Sequence, residues 1–193
     1  MHPSDPGLTR EERAHVVRLL HDSENEFVAL TAGLTHAQWN WQAAPGHWPV
    51  QHTAEHLVLG EAAMLARIEQ ALAAPPNADW EEHSARKSGF IARVLPDRHR
   101  KAAAPETLRP HGHWTCEETI ARYKEGRART LRFAEEVDRP LKAHSAEHPF
   151  PVFNMLNAYH WLLYIPLHNA RHNRQIAEVL SAAASEAAKE SVR

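Results

Sequence analysis

Sixteen of the 193 residues are histidine, a side chain that ligates divalent metals and moves protons near neutral pH. Three His-x-x-x-His pairs occur, at 52/56, 144/148 and 168/172. On a helix, that spacing stacks two imidazoles on one face with Cβ atoms about 6 Å apart, close enough to share one ion at about 2.0–2.1 Å per bond. The competing reading is an ordinary pair of core or surface histidines, and spacing alone does not decide between them. The 144/148 pair adjoins Pro149 in a stretch that reads as loop, where helical spacing loses its meaning. The 168/172 pair shares its helix face with Ile165, Ile176 and Val179, so it points inward. Two buried neutral rings need partners for their nitrogens, and a metal supplies them. Most of the histidines are expected to be solvated and idle, among them His2, His15, His21, His36, His99, His144 and His148.

Further side chains have both a chemical and a plain reading. Glu55 and Glu61 suit general bases or anchors for an imidazole N–H, against solvated helix glutamates. Gln175 could bond near the site or simply pack between helices; Arg171 and Arg174 could hold an anionic substrate or line a solvated face. Cys116 falls in a first helical turn, where the dipole favours thiolate, although a small residue at a helix start is ordinary. Trp39, Trp41 and Trp48 suit either a substrate mouth or packing over one end of the domain.

Long helices must carry these groups. Thr9 and Glu12 have capping-box spacing and open a first helix over 10–31, with Val16, Leu19, Leu20, Phe27, Leu30 and Leu34 as its stripe and Gly33 as its stop. A connector over 35–49 holds the three tryptophans. A second helix runs from Pro49 to about Ala73, before Pro75-Pro76, its inner stripe passing near His52/Thr53, His56, Leu59/Gly60, Ala63, Arg67 and Gln70. Segment 77–113 predicts a short helix near 82–94 and then a proline-rich crossover. A third helix opens at Thr115 with Glu118, shows Ile120, Tyr123, Leu131, Ala134 and Val137, and closes at Pro140. A fourth runs from about Asn154 to Ala184, bent or loosened at Pro166. No segment alternates convincingly enough to predict a strand. The fold class expected is all-α, a four-helix bundle in one domain over 1–193, with flexible ends at 1–8 and 185–193.

Composition removes several function classes. Net charge is −2, with acids and bases interspersed, so a basic footprint for nucleic acid is missing. The most apolar stretch, 161–167, is too short to span a bilayer, and the first residues have no secretory h-region. A lone cysteine fits a reducing compartment, and a cytoplasmic location is expected.

Two stretches resemble a known family. Trp48-Pro49-Val50-Gln51-His52-Thr53-Ala54-Glu55-His56-Leu57, continuing to Glu61, resembles the second-helix motif of the DinB/YfiT-like superfamily. The segment from Trp161 through His168, Arg171, His172, Gln175 and Ile176 resembles its last-helix motif; Ala104-Pro105, Leu108-Arg109-Pro110 and Arg127 or Arg129 also match in order. The resemblance implies an up-down-down-up bundle with a long crossover between helices two and three. It also implies one divalent metal held by His56, His168 and His172, the second-helix ligand being the residue directly before Leu57. His52, one turn earlier, and Glu55 then remain as catalytic candidates near the ion. Three protein ligands leave a coordination position open, in a donor set suited to zinc or nickel first and iron or manganese after them. Relatives of this kind are similar to thiol-dependent transferases. The expected function is therefore a metal-dependent thiol S-transferase in detoxification or stress, with a low-molecular-weight thiol as cosubstrate. A metal-dependent hydrolase is the second expectation, and a non-catalytic helical module with a structural metal the third. A small-molecule substrate and a homodimer are expected on the same ground, with no nucleic-acid or membrane partner.

Overall fold

The computed structural model describes residues 5–98 and 103–191; His2 and His99 lie outside them. Six helices follow in order: α1 (Arg10–Thr31), α2 (His36–Asn40), α3 (Val50–Ala73), α4 (Trp80–Val94), α5 (Cys116–Glu136) and α6 (Ala158–Ser191). Full capping boxes at Thr9/Glu12, Thr35/Gln38 and Thr115/Glu118 fix where α1, α2 and α5 begin. The helix runs through Pro166 without interruption and continues past Ala184 to Ser191, longer than its composition suggested. No helix among the described residues is long and apolar enough to cross a membrane.

Helices α1, α3, α5 and α6 make the four-helix bundle. Each touches two neighbours: α1 and α3 both lie against α5 and α6. Hydrogen bonds fix the directions. Gln51, at the start of α3, donates to the carbonyls of Gly112 and Trp114 just before α5, and Arg139 beyond the end of α5 donates to Leu72 at the end of α3. These two helices are therefore parallel. Arg13 at the start of α1 reaches the carbonyls of Ala134 and Val137, so α1 opposes α5. The course is up-down-down-up. Returning the chain between two parallel helices takes the whole of 74–115, which contains α4 and a 3₁₀ turn at Glu106–Leu108.

Two apolar clusters fill the bundle. One gathers Val16, Leu20, Met64, Ile68, Leu162 and Ile165; the other gathers Phe27, Trp39, Val50, Leu57, Tyr123 and Ile176. Between them lies a buried polar layer. Arg127, fully buried on α5, forks onto both Glu61 oxygens at 3.0 and 2.9 Å and also donates to Ser23 Oγ and Asn169 Oδ1, each at 2.8 Å. Thr130 donates to Glu61 at 2.6 Å, and Asn169 passes the network to Asn173 at 2.9 Å. Such a group must be paired throughout, because an orphaned charge in the core is costly.

Three expectations need correction. The α5 inner face is Thr119, Tyr123, Arg127, Thr130 and Ala134 rather than a purely apolar stripe, because the polar layer crosses it. On α3 the stripe turns from Gly60 through Met64 and Ile68, leaving Arg67 and Gln70 exposed. The second connector is not featureless. Ser145–Glu147 (β1) pairs antiparallel with Met155–Asn157 (β2), Ala146 opposite Leu156, and α6 begins only at Ala158. Asn154 closes the hairpin with φ of 50°, the left-handed region that Asn tolerates better than most residues.

Candidate metal centre

His56 projects from α3 and His168 and His172 from one face of α6, where a four-residue separation stacks them. Their Nε2 atoms converge: His168 Nε2 lies 3.3 Å from that of His56 and 3.2 Å from that of His172. One ligand nitrogen from each of the three falls within 4.8 Å of the others. His56 is 4% and His172 9% exposed. Gly60, one turn beyond His56, leaves the room that the His168 ring occupies; a Cβ there would meet its Cε1 at 3.3 Å.

The outer nitrogens explain which way the lone pairs point. His56 Nδ1 lies 2.8 Å from the Leu108 carbonyl, which can only accept, so the proton sits on Nδ1 and Nε2 is bare. His172 Nδ1 lies 3.0 Å from Gln175 Oε1. Arg98 donates to the same oxygen at 3.1 Å, which fixes the amide orientation and again puts the ring proton on Nδ1. His168 has at most one proton at Nε2 and two bare nitrogens facing it. At least one nitrogen pair is therefore left lone pair to lone pair in a protein-only arrangement. A cation resolves the conflict. Three imidazole nitrogens at about 2.0–2.1 Å from a four-coordinate ion lie roughly 3.3 Å apart, so the donor set fits.

Electrostatics agree with neutral ligands. Burial lowers the His56 pKa, against a smaller upward pull from its bond to Leu108. Burial, then His172 and His56, hold His168 well below its ordinary value. His172 is lowered to about 3 by burial and then by His56, with the Gln175 bond opposing. The lowered values favour neutral rings at pH 7, each with one bare nitrogen, as ligation requires.

The rings form part of the wall of an open cavity of about 1580 Å³. Trp48 lies beside His56 with ring centroids 5.1 Å apart, and Tyr164 stacks against His168 at 5.9 Å. Of the three connector tryptophans, Trp39 is buried in the bundle end while Trp48 lines the cavity, so the two readings of that segment divide between residues.

Other candidates lie elsewhere. His52 lines the cavity beside Gly112 and is outside the histidine cluster. Glu55 is fully buried and turned toward the crossover, accepting from the backbone N–H groups of His111 and Gly112 at 3.2 and 2.8 Å and pairing with His111 Nδ1 at 2.7 Å. Glu61 belongs to Arg127 and Thr130. Arg171 donates to the carbonyls of Leu95 and Asp97, and Arg174 to that of Pro96, so both tie α6 to the end of α4. Burial and then Glu117 raise the Cys116 pKa, opposite to the thiolate expectation.

Two histidines read as idle are not. His144 bonds the Ala74 carbonyl at 2.7 Å, and His148 is 5% exposed among Phe153, Trp161 and Tyr164. Only the hairpin turns His148 inward, and three-residue strands leave no periodic trace. His15, His21 and His36 are exposed.

A family model described as the DinB superfamily matches residues 19–176. Among solved structures, the chain is similar to YfiT from Bacillus subtilis at 13% identity and a TM-score of 0.62, over 93% of this chain and 91% of that one. YfiT is described as a probable metal-dependent hydrolase with an unusual four-helix bundle topology. No curated protein matches.

Proposed function

Because this chain belongs to the DinB superfamily, and because its three inward histidines present bare nitrogens to one point, we propose that it is a metal-dependent enzyme with His56, His168 and His172 as ligands. The carrying observation is the pair of outer bonds, from Nδ1 of His56 to Leu108 and from Nδ1 of His172 to Gln175. These orient the rings as outer partners orient ligating histidines elsewhere. A divalent ion bound there, with a position left open, would lower the pKa of water or of a thiol and so supply a nucleophile at neutral pH.

The protein's own groups do the rest. Trp48 and Tyr164 flank two of the ligand rings, Trp48 beside His56 and Tyr164 against His168. Arg98 holds Gln175 in place while its other nitrogens engage Glu178. The two buried α3 carboxylates are committed, Glu55 to the crossover and Glu61 to Arg127. Neither of these two is therefore free to act as a base beside the ligand nitrogens. That supports a thiol S-transfer reading, since a thiol loses its proton more readily than water and depends less on a neighbouring base. The likeness to YfiT supports the hydrolase reading through the shared fold.

Elemental analysis of tag-free protein tests the ligand set: about one equivalent of a divalent ion in wild type and a clear loss in His172→Ala. Metal-loaded protein is then assayed with ester and amide substrates without thiol, and with an electrophilic reporter plus cysteine or glutathione. Turnover above a His168→Ala control only with thiol supports transfer, and turnover only without it supports hydrolysis. Neither, in protein that holds its metal, refutes an enzymatic role for these substrate classes.

A further inference from the structure

The cavity continues beyond the ligand rings into an aromatic recess built by the hairpin and the first turns of α6. His148 is held there by its neighbours: ring centroids lie 4.6 Å away for Phe153, 4.9 Å for Trp161 in a stacked pair, and 5.1 Å for Tyr164. All four residues line the cavity.

The polar atoms of this recess are unevenly provided for. The Phe150 N–H donates to His148 Nδ1 at 3.0 Å, so in the neutral ring the proton sits on Nε2, where it has no acceptor among the described residues. Trp161 is 3% exposed, and its indole N–H is buried with no acceptor. The Tyr164 hydroxyl likewise has no hydrogen-bond partner among the described residues. Buried N–H donors are rarely left empty, because each one forfeits its bond to water. Here the Trp161 N–H is such a donor, and it shares the recess with the His148 Nε2 donor, which the open cavity still reaches, and with an unpaired hydroxyl. The charges have one sign as well: Arg67 stands on the cavity wall with its electrostatic effect reaching His148, whereas Asp97 and Glu178 belong to the opposite Arg98 side.

We propose that this recess is a recognition subsite for a carbonyl-type oxygen, a carboxylate or an amide, carried on an aromatic or alkyl body that packs against Phe150 and Phe153. His148 and Trp161 donate to the oxygen, and Tyr164 bridges the recess to the ligand rings. Ring-centroid steps of 5.1 Å from His148 to Tyr164 and 5.9 Å from Tyr164 to His168 set the length of a molecule that reaches both ends. The proposal rests on the metal-dependent reading only in placing the reacting end at His168; the subsite itself stands on the unpaired donors. A neutral His148, with its pKa lowered to about 4 by burial, keeps an N–H donor and adds no charge.

Three probes of one shape test it: 3-phenylpropionate, its primary amide and 3-phenylpropylamine. Each is titrated by calorimetry into wild-type protein, His148→Phe, Trp161→Phe and Tyr164→Phe. Circular dichroism and thermal melting confirm that each variant is folded. The acid and the amide are expected to bind, with the amine at least about tenfold weaker. His148→Phe and Trp161→Phe should each weaken acid and amide by about tenfold and leave the amine unchanged. His172→Ala should keep the binding, which separates this subsite from the metal proposal. Loss of acid binding in His172→Ala would place the oxygen at the metal centre and overturn the assignment. Equal affinity for all three probes, or folded His148 and Trp161 variants that bind as wild type does, would overturn it too.

Discussion

Gly60 and His168 face each other across the α3–α6 contact so closely that a Cβ on Gly60 would stand 3.3 Å from His168 Cε1 and 3.8 Å from its Nδ1. The close approach explains a glycine in the middle of a helix, where it costs about 0.5–1 kcal/mol relative to alanine. The helix gives up that stability so that the imidazole can sit against its backbone.

Gly60→Ala should therefore separate stability from binding. Melting of metal-free protein should stay level or rise, by at most about 1 kcal/mol from helix propensity. The His168 ring must give way by a few tenths of an ångström, and affinity for zinc or nickel should fall by about tenfold. Chelator competition on the variant gives the affinity. Unchanged affinity with raised stability would show that the ring is not held by this contact.

Gln175→Leu removes the acceptor for the His172 Nδ1 proton while leaving all three ligand rings in place. Metal affinity should drop by about 10–100-fold, the usual effect of losing an outer partner. Gln175→Glu keeps an acceptor beside Arg98 and should recover most of the loss, which a purely structural role for Gln175 does not require.

Arg127→Met strands Glu61 and Asn169 in the core. Unfolding free energy should fall by about 3–5 kcal/mol at neutral pH. Adding Glu61→Gln should return part of it, because the charge left behind is then removed. Denaturant unfolding of the single and double variants supplies the comparison.

His148 makes stability depend on pH. Its pKa falls from 6.5 to about 4 on folding, chiefly through burial. The unfolded chain therefore takes up the proton first as pH drops. The stability is complete above about 6.5, declines as pH falls toward 4, and declines no further below that. After allowance for solvent screening at the cavity, the change is on the order of 1–2 kcal/mol. In metal-free protein, melting curves between pH 7 and pH 5 should show a smaller decline for His148→Asn than for wild type.

The bundle was legible because its signals are local or periodic. Thr9 with Glu12 and Thr115 with Glu118 mark helix starts, and both form complete capping boxes. The 168/172 pair reveals a shared face by spacing alone, and its convergence with His56 is there in the fold. The aromatic recess stayed hidden, since β1 and β2 hold three residues each and nothing in the order of residues says that His148 turns inward. Arg127 and Thr130 were missing from the predicted inner stripe for a different reason. Periodicity counts polar residues as outward, and only the presence of Glu61 and Asn169 on neighbouring helices lets them lie inside. The same blindness made Glu55 look available for chemistry, when the crossover backbone already occupies both its oxygens.

The Leu108 carbonyl that receives the His56 proton belongs to the 3₁₀ turn of the crossover, 52 positions along the chain. Thermodynamic linkage then runs both ways: whatever tightens the grip of that imidazole on an ion steadies the strap, and whatever loosens the strap weakens the grip by the same factor. Substitutions at Pro105 or Pro110, which supply no ligand atom, become indirect controls on ion occupancy, and slower amide exchange at Arg109, whose N–H bonds the Glu106 carbonyl, becomes a gauge of loading.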